Sequence, residues 1–202
     1  MTYTTSILAV TALVSIACFN NERLFRRLAF SAYCVAHRGE AYRLLTHGFV
    51  HADWMHLFVN MFTFYSFGAY IEAAFFDLGD NGLSFLLLYL GGMVIASCYD
   101  LLKRRDNSSY LSVGASGAVS AVLFSAIFLD PWSRIYLFAA IPIPGILFGV
   151  CYLFYCHYMA RRGGDNINHN AHFYGALYGF IFPAFLDPHL INRFFNELLS
   201  SL

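Results

Sequence analysis

The hydrophobic positions of this chain run in long blocks separated by short polar connections. Six blocks are apolar over a length that suits a bilayer-spanning helix, roughly 17–25 residues. They cover residues 3–19, 54–71, 83–102, 111–129, 135–159 and 171–186. The pattern predicts an all-α membrane protein, a bundle of six transmembrane helices forming a single domain over residues 1–202. Two features break the regularity. Pro142, Pro144 and Gly145 sit in the fifth block, where they kink a helix or mark its flexible end. The connection between the first two blocks, about residues 20–53, is too long for a turn and too hydrophobic for a disordered linker. Its segment ERLFRRLAF (22–30) mixes arginines with Leu and Phe, as a helix lying in the membrane interface does. A last segment, 192–202, is expected to be a helix outside the membrane.

Composition sharpens this picture. Charged residues make up 12% of the chain, about half the usual share of a soluble domain. Aromatics reach 19%, which suits interfacial belts. The formal net charge is zero, so nothing favours a nucleic-acid partner. Five cysteines occur without a CxxC pair and read as free thiols. The first residues, MTYTTS, lack the basic start of a cleavable signal, so the first apolar segment is expected to be kept. All lysines and arginines except Arg134 and Arg193 fall in the first, third and fifth connections. The positive-inside rule would put those loops in the cytoplasm.

Polar residues inside apolar spans are functional candidates. His56 and Asn60 lie four apart at the start of the second span and so share a helix face. His47 and His51 lie just before it. Metal or haem ligation is one reading of these histidines, but HExxH is absent and no carboxylate or thiolate stands at ligand spacing. Hydrogen bonding between helices is another. The fourth block contains Gly114-Ala115-Ser116-Gly117, and the sixth begins at Ala171-His172. Gly117, Ala121 and Ser125 form a small face on the fourth span; Ala171, Gly175 and Gly179 form one on the sixth, allowing close backbone approach. Spans two, four and six enter the membrane from the same side, so Ser116, His172, His56 and Asn60 are expected to converge. A serine needs a base to become a nucleophile, and His172 can supply it. Acyl transfer needs donors for an oxyanion; His56, Asn60 and the Ser116 amide at a helix start can supply them. Gly114 and Gly117 allow a tight turn and close approach by a substrate chain.

With YRLLTHGFVHADWMHLFVNMF (42–62), Glu72, GASG (114–117) and AHFYGALYG (171–179) in view, the chain resembles the rhomboid family of intramembrane serine proteases, bacterial type, over essentially its whole six-span core. The resemblance implies a six-helix rhomboid-like bundle with an interfacial loop between helices 1 and 2. It implies hydrolysis of peptide bonds in or near transmembrane segments by a Ser116–His172 dyad without a carboxylate. His56 and Asn60 match the family's oxyanion side chains. Arg43, in the pair Tyr42-Arg43, and Glu72 would hold the first loop and second span, with a direct pairing as a hypothesis. His51 matches a position near the region that retains water behind the site. Gly175 and Gly179 would support helix packing. No metal or cofactor is implied; the partners are transmembrane substrates and the lipid bilayer, and the expected location is a bacterial inner membrane with the N-terminus in the cytoplasm. The fifth span would serve as a moving gate.

One departure stands out. Many family members carry Tyr four residues after the serine, stacked on the catalytic histidine, and here that position is Ser120. Tyr174 and aromatics of the second span are the candidates to replace it. The alternative function is a catalytically weak or inactive rhomboid-like protein that binds membrane partners.

Overall fold

The computed structural model describes residues 2–77, 79, 82–137 and 140–200. These form ten α-helices: α1 (Tyr3–Phe19), α2 (Glu22–Leu28), α3 (Ala32–Arg38), α4 (Arg43–Thr46), α5 (Trp54–Phe76), α6 (Leu83–Arg104), α7 (Ser116–Leu129), α8 (Gly145–Arg162), α9 (His169–Leu186) and α10 (His189–Ser200). Strands β1 (Arg134–Leu137) and β2 (Ile141–Pro144) pair antiparallel between α7 and α8.

Helix α7 is the axis of the fold. Gly117 through Leu129 are all buried, enclosed chiefly by α5, α6 and α9. Its small residues explain why neighbours come so close. A Cβ on Gly175 would overlap the Gly117 carbonyl, and one on Gly179 would overlap Ala121. The two small faces anticipated in the sequence therefore meet backbone to backbone. Ser125 Oγ caps the contact by donating to the Gly179 carbonyl at 2.7 Å. At 1.5 Å per residue α7 is about 21 Å long, shorter than the roughly 30 Å hydrocarbon core of a bilayer.

The distribution of side chains is that of a protein solvated by lipid. Leu13, Met55, Phe58, Tyr65, Leu102, Phe154 and Phe185 are well exposed, while Thr11, Ser15, His51, Asn60, Asp100 and Ser125 are buried. So much exposed apolar surface around a partly polar interior needs an apolar surrounding. By length and composition α6 could cross a membrane unaided; α1 and α7 are apolar but shorter.

Several expected boundaries move. The fourth helix starts at Ser116, since Gly114 has φ +119°, outside the helical region. The fifth starts at Gly145 instead of residue 135, because Arg134–Leu137 and Ile141–Pro144 pair as strands. Pro142 and Pro144 lack the N–H that an interior helix position needs, so they precede α8 and do not kink it. The sixth starts at His169, with Asn168 capping it by accepting from the Ala171 N–H at 3.0 Å. The last helix, α10, starts at His189, ahead of residue 192.

Arg43 and Glu72 do not pair. Arg43 binds Glu40 and the Arg26 and Ala29 carbonyls. Glu72 instead accepts the Tyr3 and Thr4 backbone N–H groups at 2.6 and 2.8 Å. A carboxylate at the start of α1 satisfies donors that the helix itself cannot. Arg43 thus fastens α4 to α2, and Glu72 fastens α5 to α1.

Candidate active site

Ser116 is the first residue of α7 and His172 lies in the first turn of α9. Both line one cavity of about 1170 Å³, together with His56, Asn60, Gly114 and Gly117. The helix packing brings them there: the Gly117 position lies against the Ala171 carbonyl, so the starts of α7 and α9 touch. Ser116 and His172 share no hydrogen bond among the described residues; such contacts are often long before a substrate arrives. At 14 residues α7 is shorter than α5, with 23, and α6, with 22, and the irregular serine loop precedes it. Irregular backbone within a membrane protein is tolerated where it lines a cavity, as residues 111–114 do.

The four residues before Ser116 are held by the first connection. Phe30 and Ser112 exchange backbone hydrogen bonds at 2.9 and 3.0 Å, and Gly114 donates to the His47 carbonyl at 3.0 Å. Ala115 donates to His51 Nε2 at 3.4 Å. His51 Nδ1 lies 3.0 Å from Ser15 Oγ, which donates to the Phe49 carbonyl. An accepting Nε2 and a donating Nδ1 make His51 a neutral tautomer that ties α1 to the serine loop. Within the expected interfacial segment α2 forms, with Arg23, Arg26 and Arg27 exposed and Leu24, Phe25 and Leu28 half-buried. Its long connection acts as a brace.

His56 lies over Gly114. A Cβ there would come 2.7 Å from His56 Nε2, so only glycine leaves the imidazole this close to the serine loop. Asn60 Nδ2 donates to the His56 carbonyl at 2.9 Å, leaving a second N–H on the amide. The start of α9 is fixed by a network absent from the sequence reading. Asn168 Nδ2 donates to buried Asp100 at 2.5 Å and reaches Ser112 Oγ at 3.4 Å. Tyr110 donates to the same carboxylate at 2.8 Å. Asp100 thereby links α6, α9 and the serine loop. A carboxylate inside the third apolar block was the signal that could have found it.

Tyr152 of α8 fills the place of the missing tyrosine. Its ring lies nearly parallel to His172, 11° between planes and 6.3 Å between centroids. Its hydroxyl is 3.0 Å from Ser120 Oγ. The small Ser120 leaves room for a tyrosine arriving from a different helix. Tyr174 stacks on Tyr99 instead, and no ring of α5 is stacked on His172 among the described residues. If the ring aligns His172, Tyr152→Leu should lower kcat about 3- to 10-fold, the worth of an aromatic contact. Tyr152→Phe keeps the ring and should cost less. Equal kcat for wild type and the leucine variant would remove that role.

Burial sets the charge of two histidines beside the serine loop. It pushes His47 down to about 4 and His51 to about 3, with the neighbouring His56 adding to the latter. Unfolded, both titrate near pH 6.5, so the unfolded chain binds more protons below that pH. Stability should therefore fall as pH drops from about 6.5 towards 4, by up to about 3 kcal/mol for His47. Thermal unfolding in detergent across this range should show the loss, and His47→Gln should make it shallower, leaving the His51 part. An unchanged acid slope in that variant would exclude His47 as its source.

Comparison with known proteins agrees with this arrangement. The rhomboid domain family model matches residues 38–188. The chain belongs to the rhomboid family. It is 34% identical over 154 residues to RHOMBOID-like protein 12, mitochondrial, of Arabidopsis thaliana, covering 68% of this chain and 44% of that protein. The rhomboid chain thus spans less than half the length of this relative. It is a membrane protein, as its exposed apolar surface requires. The relative's name places that protein in mitochondria, so it lends no support to the bacterial inner membrane expected from the resemblance.

Proposed function

We propose that this rhomboid protein is an intramembrane serine endopeptidase that cuts peptide bonds in or near transmembrane segments. The observation that carries the reading is the common cavity wall of Ser116, His172, His56 and Asn60. Ser116 Oγ attacks the scissile carbonyl while His172 accepts its proton and returns it to the leaving amine. His56, the free Asn60 N–H and the Ser116 amide stabilise the oxyanion. Water activated by His172 then releases the acyl-enzyme. None of these steps calls for a cofactor. Helices α1, α5, α6, α7, α8 and α9 are the six spans, and the N-terminus faces the cytoplasm by family resemblance, despite the basic loops on the active-site side.

A transmembrane helix hides its amides, so substrates with Gly, Ala or Ser near the cut unwind most easily. Helix α8 is the gate in this reading. Only Gly145, Gly149 and Cys156 are buried along it, and it carries Tyr152, so its movement would open the site and release His172 together.

Labelling tests the proposal. An alkyl fluorophosphonate added to the purified protein in liposomes should modify Ser116 and stop cleavage of a transmembrane peptide with a small-residue cut site. Cleavage that persists with Ser116 fully modified would refute the mechanism. The rival reading, a binding protein without turnover, predicts neither labelling nor cleavage.

A further inference from the structure

Three metal-ligating side chains converge at His172. Cys156 of α8 and His169 and His172 of α9 each offer one donor atom, and the three lie within 4.8 Å of one another. Donors of a tetrahedral zinc site, with bonds of roughly 2.0–2.3 Å, stand about 3.3–3.8 Å apart. Side-chain rotation of about 1 Å closes the difference.

His169 is prepared in a way its surroundings do not otherwise explain. It is buried at 3% exposure. Its Nε2 is held by the Asp165 carboxylate at 3.0 Å, while its buried Nδ1 has no hydrogen-bond partner among the described residues. An unmatched buried ring nitrogen costs free energy. A carboxylate on the far nitrogen is the usual support of a metal-binding histidine, fixing its tautomer and raising its basicity. His169 and His172, three residues apart, share a helix face, and both line the large cavity, which gives an ion a way in.

We propose that Cys156, His169 and His172 form a binding site for a soft divalent cation such as Zn²⁺, and that occupancy switches the enzyme off. The inhibition rests on the dyad reading above; the binding does not. One thiolate and two imidazoles favour zinc or cobalt over magnesium or calcium. The thiol releases its proton to solvent as the metal binds, and water completes the tetrahedron. A His172 nitrogen committed to the metal fixes the ring away from Ser116, so the metal-bound and catalytic states exclude each other.

The test uses purified, chelator-stripped protein in detergent. Titration with Co²⁺ should give a saturable thiolate-to-cobalt charge-transfer band, displaced by Zn²⁺. Cys156→Ser, which keeps the side-chain volume, should abolish the band. Asp165→Asn should weaken binding about 10- to 100-fold. In the cleavage assay Zn²⁺ should inhibit wild type, and Cys156→Ser should require about 100-fold more for the same effect. No thiolate band, or equal zinc inhibition in wild type and Cys156→Ser, would overturn the site. A Cys156-dependent band in a protein that cuts nothing when metal-free would uphold the site and sink the dyad.

Discussion

Ser116→Ala and His172→Ala should each lower kcat by at least about 10⁴-fold, and the double variant should lose no more than either alone. The reason is that nucleophile and base act as a unit: without the imidazole the hydroxyl keeps its proton, and without the hydroxyl the imidazole has nothing to deprotonate. His56→Ala and Asn60→Ala should cost less, about 10²–10³-fold each, because the oxyanion retains its other donors. The measurement is single-turnover cleavage of a transmembrane peptide in liposomes, where KM and lipid partitioning cannot mask kcat. Equal turnover in wild type and both alanine variants would mean that another site, or another protein, does the cutting. Additive losses in the double variant would mean that the two residues serve separate steps.

The second large effect is on folding. Gly175→Ala and Gly179→Ala each place a methyl group where α9 already touches α7. At Gly175 the new carbon overlaps the Gly117 carbonyl and Cα; at Gly179 it overlaps the carbonyl and Cα of Ala121. Backbone cannot rotate away as a side chain does, so α9 must move off α7. Overpacking of this kind costs about 3 kcal/mol, and here it also breaks the Ser125–Gly179 hydrogen bond. For a chain of this size that corresponds to roughly 6–12 °C in the thermal midpoint. Gly175→Ala should in addition depress activity in the protein that remains folded, since the same contact sets the separation of Ser116 and His172. Gly39→Ala serves as a control, because nothing lies within 4 Å of a Cβ there. Its positive φ of 70° still costs about 1 kcal/mol. Unfolding midpoints equal to wild type at both Gly175 and Gly179 would show that the two helices are not in backbone contact.

Much of this was written locally. The apolar blocks announced the helices because a helix in lipid must be hydrophobic along its whole length. The small residues at four-residue spacing, Gly175 and Gly179 against Gly117 and Ala121, announced which faces meet, since that spacing is one helix face and only small side chains admit backbone contact. Ser116, His172, His56 and Asn60 were legible because each is a polar group inside an apolar run. The hairpin was missed because β1 and β2 read as more apolar chain; the prolines marked a break, and the antiparallel pairing, Ile135 with Ile143 among its four pairs, appears only in the folded chain. A direct Arg43–Glu72 pair was a hypothesis by family analogy, yet each found other partners, mostly backbone. Tyr152 could not be singled out among 14 tyrosines. Its contact with His172 depends on where α8 crosses α9, and Ser120 reveals only that a space was left. Asp100 with Asn168, and Cys156 of α8 with the histidines of α9, are likewise encounters between different helices. Periodicity within one helix fixes which residues share a face; which of them meet across helices is decided by the packing of those faces, and the tertiary structure alone supplies it.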